Sequence, residues 1–227
     1  MVQRLADALD LGPADRNHLL TSAGFAADRP VQPLDADAMA AIRTVIAHLL
    51  RNHEPWPALL LDATYDIVDA NTGARRLLGL PEDTTGDGDA TITRPNLVEL
   101  LLGPLAPMLA NADAVLRETR SRLQRDLERV GVLAATDART RARARLTDLL
   151  ARVTAALGSP SRHEPQSVDT PVLFTTLHSP LGPIHTLSTL VHFGGARSET
   201  VDALHVELIH PADPHSDTRL RTLLAPA

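Results

Sequence analysis

The hydrophobic period of this chain changes along its length, and that change limits the folds it can adopt. Residues 112–157 repeat with the period of a helix, with one interruption near residues 131–137. After a loop that contains Pro and Ser the period becomes two, which predicts strands at residues 172–178, 184–193 and 203–209. Their lengths and the turn residues between them favour an antiparallel meander.

The N-terminal quarter of the chain is predicted to be helical. Amphipathic patterns indicate two short helices within residues 1–24, separated at Gly12-Pro13, because Pro suits the first turn of a helix. A turn-rich stretch at residues 28–33 is typical of a linker. Residues 35–51 then form a third amphipathic helix, which two prolines end.

A hairpin is predicted between this helix and the long helical block. A short apolar strand at residues 58–61 and a second strand that starts at residues 67–68 are separated by a turn. Asn71 and Asn96 each precede a helical segment and are expected to cap it, and Asn71 has a second option, a hydrogen bond across the hairpin. Residues 81–95 have the composition of an exposed loop. Five strands interrupted by helices favour an α+β fold.

The composition excludes several classes of function. The chain has no cysteine, so disulfides, thiol catalysis and cysteine-ligated zinc are excluded. A net charge of −6 argues against nucleic-acid binding by the whole chain. No apolar run is long enough to span a bilayer and no signal-peptide core is present, so we expect a cytoplasmic protein without a membrane partner. No P-loop, nucleophile elbow, Rossmann fingerprint or paired-carboxylate motif occurs, so we expect no enzymatic activity and no cofactor.

Three stretches of sequence carry a family resemblance. Residues 55–78 read PWPALLLDATYDIVDANTGARRLL, and residues 94–123 read RPNLVELLLGPLAPMLANADAVLRETRSRL. In order and spacing they resemble the opening hairpin and the following helices of the MmyB-like ligand-binding domain, and residues 181–224 resemble the final strands and C-terminal helix of one branch of that family. The resemblance implies a PAS-like five-stranded antiparallel sheet with a helical insertion. Ala70 and Ala112 depart from it, since the family often has Trp at both positions.

The upstream sequence resembles the last two helices of the XRE-type helix-turn-helix domain that usually precedes this sensor. The expected domains are therefore a helix-turn-helix remnant at 1–27, a linker and coupling helix at 28–54, and the PAS-like domain at 55–227. The helices that would include the recognition helix are missing from this sequence, through either truncation or natural loss. DNA would be contacted only through that incomplete helix-turn-helix, and a homodimer is expected because such regulators usually read two half-sites.

A ligand pocket is expected on one face of the sheet. Alternation places the apolar residues of the last two strands on one face of each, and we expect that face to point inward. With only five aromatic residues in the chain, Leu, Val and Thr would line the pocket, which suits a flexible acyl chain better than a flat ring. The resemblance likewise implies a fatty-acid-like or other lipophilic ligand. The candidate ligand-binding residues are Leu59, Leu61, Asn71, Leu97, Leu101, Phe174, Leu187, Thr189, Val191, Phe193, Leu204, Val206 and Leu208.

These features predict the ligand-sensing domain of a bacterial transcription regulator, in which a bound lipophilic molecule controls DNA binding. The main alternative is a PAS-like dimerisation or protein-interaction module, in which the same apolar residues pack a solid core without a ligand. An enzyme acting on a lipophilic substrate and direct DNA binding by this chain are further alternatives, and no motif favours either.

Other polar features have simpler interpretations. His192, His205 and Glu207 are expected on the outer sheet face. Imidazole and carboxylate groups are ligands for zinc or nickel, but no tight ligand spacing supports a site and no metal is expected. Four arginines at alternate positions over 139–145 point to two sides of a helix, which favours a solvated helix with ion pairs over a phosphate site. The Gly-Asp-rich segment 86–89 lacks the spacing of an EF-hand and is expected to be a mobile loop.

Overall fold

The computed structural model describes residues 1–26, 28, 33–81, 94–131, 137–158, 172–194, 196 and 198–225. Within them the strands are β1 (Ala58–Leu61), β2 (Ile67–Ala70), β3 (Thr175–Leu177), β4 (Ile184–His192) and β5 (His205–Pro211). They form one antiparallel sheet in the order β2-β1-β5-β4-β3, so the last strand in sequence lies at the centre. The predicted α+β fold with a PAS-like five-stranded antiparallel sheet is confirmed.

Helices surround the sheet and fill the connection between β2 and β3. In the described residues they are α1 (Val2–Ala8), α2 (Pro13–Ser22), α3 (Ala40–Asn52), α4 (Thr72–Leu78), α5 (Leu97–Leu102), α6 (Ala112–Gly131), α7 (Asp137–Leu157), α8 (Glu199–Asp202) and α9 (Pro214–Leu223). The helical insertion consists of α4 to α7. The two short N-terminal helices and the helical insertion agree with the sequence predictions.

Both faces of the sheet are covered. On one face, Ile46 and Leu50 of α3 pack in a cluster with Val206 of β5. On the other face, Leu59 of β1 packs in a cluster with buried side chains of α6 and α7, among them Leu123. Because β1 is buried on both of its faces, it is a continuous apolar run and not an alternating one.

Asparagine side chains begin both helices that follow the hairpin. Asn71 accepts from the backbone N–H of Ala74 at 2.9 Å and so caps α4, and it also accepts from the N–H of Ala58 at 2.9 Å. Its amide donates to the carbonyl of Trp56 at 2.8 Å. Asn96 accepts from the first turn of α5. The predicted caps are confirmed, and Asn71 also makes the bond across the hairpin.

Two of the predicted strands differ from the observed ones in where they begin and end. The strand expected at residues 172–178 is only as long as β3, and the strand expected at residues 203–209 begins and ends two residues later. The cause of the second difference is α8, which the sequence prediction missed. The Ser198 hydroxyl accepts from a backbone N–H of this helix, and burial of Val201 and Leu204 holds its end against the core.

The N-terminal helix pair is docked on the rest of the molecule. The side-chain amide of Asn17 in α2 donates to the carboxylate of Glu199 in α8 at 2.7 Å. Arg139 of α7 lies 3.9 Å from Asp15 of α2. These contacts connect the N-terminal helices to the segment that leads into β5.

Candidate ligand pocket

A cavity of about 370 Å³ lies between the sheet and the helical insertion. The hairpin, α4 to α6 and the three C-terminal strands all contribute to its wall. This volume is near the lower end of the roughly 300–1,000 Å³ typical of small-molecule sites. Leucines make up most of the apolar wall, among them Leu59, Leu77, Leu97, Leu101, Leu105 and Leu109.

The cavity wall also contains polar side chains. Among them are Thr186 and Glu207 of the sheet and Thr119, Glu118 and Arg122 of α6. The two threonine hydroxyls are already engaged with backbone carbonyls, at 2.9 Å for Thr119 and 3.2 Å for Thr186. The guanidinium of Arg122 donates to the carboxylate of Glu118 at 3.3 Å. The cavity wall is therefore amphipathic, because it combines an extensive apolar surface with a smaller number of polar side chains.

Glu207 lies at the centre of the sheet. Its antiparallel neighbours in the ladder are Leu59 of β1 and Leu190 of β4. It is 8% exposed and has no ion-pair partner in the described part of the chain, a combination that is rare for a glutamate. Its carboxylate lies in the cavity wall, so it is available to a ligand and not to bulk water.

Tyr65 closes the cavity beside the hairpin turn. Its hydroxyl donates to the carboxylate of Asp126 in α6 at 2.6 Å. Burial first, and then this hydrogen bond, raise the pKa of Tyr65 well above its ordinary value, so the phenol stays neutral and remains a donor. This hydrogen bond joins α6 to the hairpin beside the cavity.

The family follows from a comparison with known protein families. The model of the MmyB-like transcription regulator ligand binding domain matches residues 42–223, from α3 to the last turn of α9. This is well over half of the chain. The chain belongs to this family. It is thus a ligand-binding domain of the kind found in transcription regulators. A comparison with curated proteins gave no match.

Four of the predicted site residues contribute to the cavity of this MmyB-like domain, namely Leu59, Leu97, Leu101 and Leu187. Leu61 lies in the adjoining core cluster with α6 and α7. Phe174 is 37% exposed and outside the cavity wall, although both of its chain neighbours line it. Asn71 is outside the wall too, because its side chain is used in the backbone bonds described above.

The other predicted residues lie on the opposite side of the sheet. Val191, Phe193, Leu204, Val206 and Leu208 pack in the cluster beneath α3, and Thr189 is exposed. With the exception of Leu187, the apolar face of β4 and β5 therefore lies away from the cavity, contrary to the expectation. The physical reason is that α3 covers this face and buries the apolar alternates, which leaves the polar alternates toward the helical insertion.

Sequence reasoning missed the polar residues of the MmyB-like cavity. Glu207 is expected on the outer face of the sheet, and the sequence pattern gives no ligand-binding role to Thr186, Ser188, Tyr65 or Arg122. One feature of the sequence does indicate this arrangement. The amphipathic pattern of the long helical block requires that its apolar side pack on another surface, and the polar face of the last strands is the surface that no other predicted element covers.

The two histidines expected on the same sheet face as Glu207 are neighbours in the sheet. His192 and His205 are opposite each other in the ladder, with ring centroids 5.6 Å apart. They share a sheet face with Glu207, as predicted, but this face points toward the helical insertion. Among the residues described by the structure, no three His, Asp or Glu side chains could hold a metal ion. Burial lowers the pKa of His205, and the charge of Glu207 partly opposes this effect.

The arginine-rich helix α7 forms ion pairs with its neighbours. Arg145 lies 3.3 Å from Glu99 of α5, while Arg141 and Arg143 are exposed. This is the solvated, ion-paired helix that the spacing predicted. The Gly-Asp-rich segment 86–89 lies outside the described residues. In the part of the chain that is described, no helix is both long and apolar enough to cross a bilayer.

Proposed function

We propose that this MmyB-like domain senses a lipophilic small molecule, fatty-acid-like in having a flexible apolar chain, and so controls DNA binding by its regulator. The observation that carries the proposal is the cavity of about 370 Å³ with leucines over most of its wall. Met108 also lines the cavity, and the flexible side chain of methionine adapts to ligands of varied shape. A scarcity of aromatic rings favours a chain over a planar ligand.

The strand β5 supplies a physical route from ligand to regulator. Glu207 and Ile209 line the cavity, whereas Val206 and Leu208 belong to the cluster beneath α3. A ligand that displaces β5 therefore acts on α3, within the segment expected to couple the two parts of the regulator. The same strand follows α8, which contacts the N-terminal helix pair through Glu199. A ligand can shift such an equilibrium only by binding one arrangement better than the other.

The proposed output is a change in DNA binding by a helix-turn-helix, with the regulator acting as a homodimer on two half-sites. The net charge of −6 supports the view that this chain itself is not the DNA-contacting part. Size-exclusion chromatography with light scattering tests the dimer. A monomer at high protein concentration contradicts it.

The alternative, an interaction module with a solid core, predicts no cavity on either face of the sheet. The cavity between the sheet and α4 to α6 favours the sensor. Burial of a carboxylate without a partner costs free energy. A core that serves only to pack apolar side chains therefore does not explain the carboxylate in the cavity wall.

Native mass spectrometry of freshly purified protein, followed by denaturing extraction, tests the proposal. We expect a co-purifying lipophilic molecule in near-stoichiometric amount. A clean apo mass, with no thermal shift across a panel of alkyl compounds, contradicts the sensor and supports the solid-core module.

A matched pair of variants locates the binding site. Leu101→Trp adds a large ring at the cavity wall and is expected to abolish ligand capture, because the ring occupies the ligand's space. Leu181→Trp makes the same change at a residue that is exposed in a turn outside the cavity, and it should bind as the wild type does. Equal ligand capture by both variants places the site elsewhere.

A further inference from the structure

Glu207 is a buried carboxylate without a hydrogen-bond or ion-pair partner among the residues that the structure describes. Every fully buried side-chain oxygen or nitrogen among the described residues does have a hydrogen-bond partner. The Glu207 oxygens are therefore not sealed in the core, and at 8% exposure the space they reach is the cavity.

The other charged and hydroxyl groups described in the cavity wall form their hydrogen bonds and ion pairs with residues other than Glu207. Of the described residues that line the cavity, Arg122 is the single cation, and Glu118 binds it at 3.3 Å. Glu118 also accepts from Arg125 at 3.3 Å, so its charge is matched on the side of α6. The hydroxyls of Thr119 and Thr186 donate to carbonyl oxygens. With Glu118 and Arg122 paired, Glu207 is the carboxyl group of the described cavity wall that forms no ion pair.

A buried carboxylate accepts hydrogen bonds and donates none, and it is stable in such a place only when a donor or a cation meets it. A ligand carboxylate at this position would bring two negative charges together in a poorly solvated space. An ammonium group supplies both the donors and the opposite charge, and charge-assisted hydrogen bonds are the strong class.

We propose that the cavity recognises a lipophilic amine, with the protonated amine bound to Glu207 and the alkyl part against the leucine wall. This inference rests on the proposed function, because it names the head group of the ligand that the same cavity binds. The expected ligand retains the flexible alkyl tail of a fatty acid. Its head group is a basic amine in place of the acidic carboxylate.

Three probes of equal chain length test the head group. Decylamine, decanol and decanoate are titrated into the full chain below their micelle concentrations, with isothermal calorimetry as the readout. We expect decylamine to bind about tenfold or more tightly than decanoate, the factor that one charge-assisted hydrogen bond provides. Decanol is expected to lie between them.

The variant Glu207→Gln removes the charge and retains the shape. It should reduce the preference for decylamine over decanoate to within about threefold, while decanol binds nearly as before. The matched control is Glu128→Gln, which removes an exposed carboxylate from α6 and should preserve the wild-type preference. Circular dichroism establishes whether each variant is folded, and the head-group preference of the wild type remains a test if Glu207→Gln is not.

The outcomes separate this inference from the proposed function. Binding of decanoate as tightly as decylamine overturns the amine proposal and leaves a lipophilic sensor in place. An unchanged preference in Glu207→Gln overturns Glu207 as the recognising group. Failure of all three probes to bind overturns both proposals.

Discussion

The side-chain amide of Asn17 in α2 donates to the carboxylate of Glu199 in α8 across 2.7 Å, and these residues are 182 positions apart in the sequence. Asn17 is buried, and its carbonyl oxygen accepts from the backbone N–H of Asp28 at 2.8 Å. One side chain thus fixes both the N-terminal helix pair and the start of its linker. It joins them to the segment that leads directly into the central strand β5.

Asn17→Ala is expected to loosen the N-terminal helix pair while the sheet stays intact. The loss of two hydrogen bonds should reduce the free energy of local opening of the helix pair by about 1–3 kcal/mol. Hydrogen exchange measured by mass spectrometry should speed up in α1 and α2 and stay unchanged in β4 and β5. Asn52→Ala, at an exposed position of α3, is the control. Equal exchange rates in α2 for both variants would show that Asn17 does not hold the pair.

Asn71→Ala is expected to destabilise the whole domain. The residue caps α4 and bonds the backbones of Ala58, Trp56 and Leu50, so truncation leaves several buried backbone groups without partners. The free energy of unfolding should fall by about 2–4 kcal/mol, measured as a shift of the urea midpoint.

The variant Asn71→Asp separates the two roles of this side chain. It retains the oxygen that accepts from Ala58 and Ala74 but loses the amide that donates to Trp56 and Leu50. Its stability should lie between those of the wild type and Asn71→Ala if both roles matter. A value equal to the wild type would show that the accepting oxygen alone is important and that the donating amide is not.

The caps were predictable because they depend on local chemistry. An Asn immediately before an apolar helical segment at Asn71 or Asn96 satisfies N–H groups within three residues of itself. The element order and the antiparallel sheet followed similarly, from the period of the pattern and from the turn residues.

The faces of the sheet could not be assigned in this way. Period two separates Val206 from Glu207 but does not say which layer each face meets. The usual assignment places the polar set toward water, which holds for a sheet with one solvated face. Here α3 covers the apolar set and α6 covers the polar set, so Glu207 is buried in the cavity wall. That outcome depends on contacts between segments far apart in the chain.

Gly73→Ala is expected to be strongly destabilising, although the substitution is favourable in an isolated helix. A Cβ at Gly73 would lie 2.3 Å from the carbonyl oxygen of Pro55, which is a backbone atom that cannot move independently. We expect a loss of more than about 2 kcal/mol in the free energy of unfolding, whereas helix propensity alone predicts a gain of about 1 kcal/mol.

Gly194→Ala is the control for this substitution, since a Cβ there meets nothing within 4 Å. It should leave the urea midpoint close to that of the wild type. If Gly73→Ala were as stable as Gly194→Ala, α4 would not pack as closely on the Pro55 backbone as the structure has it.

The stability of the domain is expected to fall as the pH falls below about 6.5, the ordinary pKa of histidine. Burial lowers the pKa of His205, and burial together with the neighbouring His53 lowers that of His210. Below the ordinary value the unfolded chain takes up protons that the folded chain does not, so the equilibrium moves toward unfolding. The full contribution to stability is present above pH 6.5 and is lost as the pH falls through the lower pKa values of the folded state.

Urea titrations between about pH 5.5 and 7.5 measure this dependence, which reaches about 1.4 kcal/mol per pH unit for each proton taken up. His205→Gln should flatten the slope by removing one of the two groups. His178→Gln, at an exposed position, should leave the slope as it is. A stability that rises on acidification over this range would mean that His205 and His210 are more easily protonated in the folded state than their burial between the sheet and its neighbours allows.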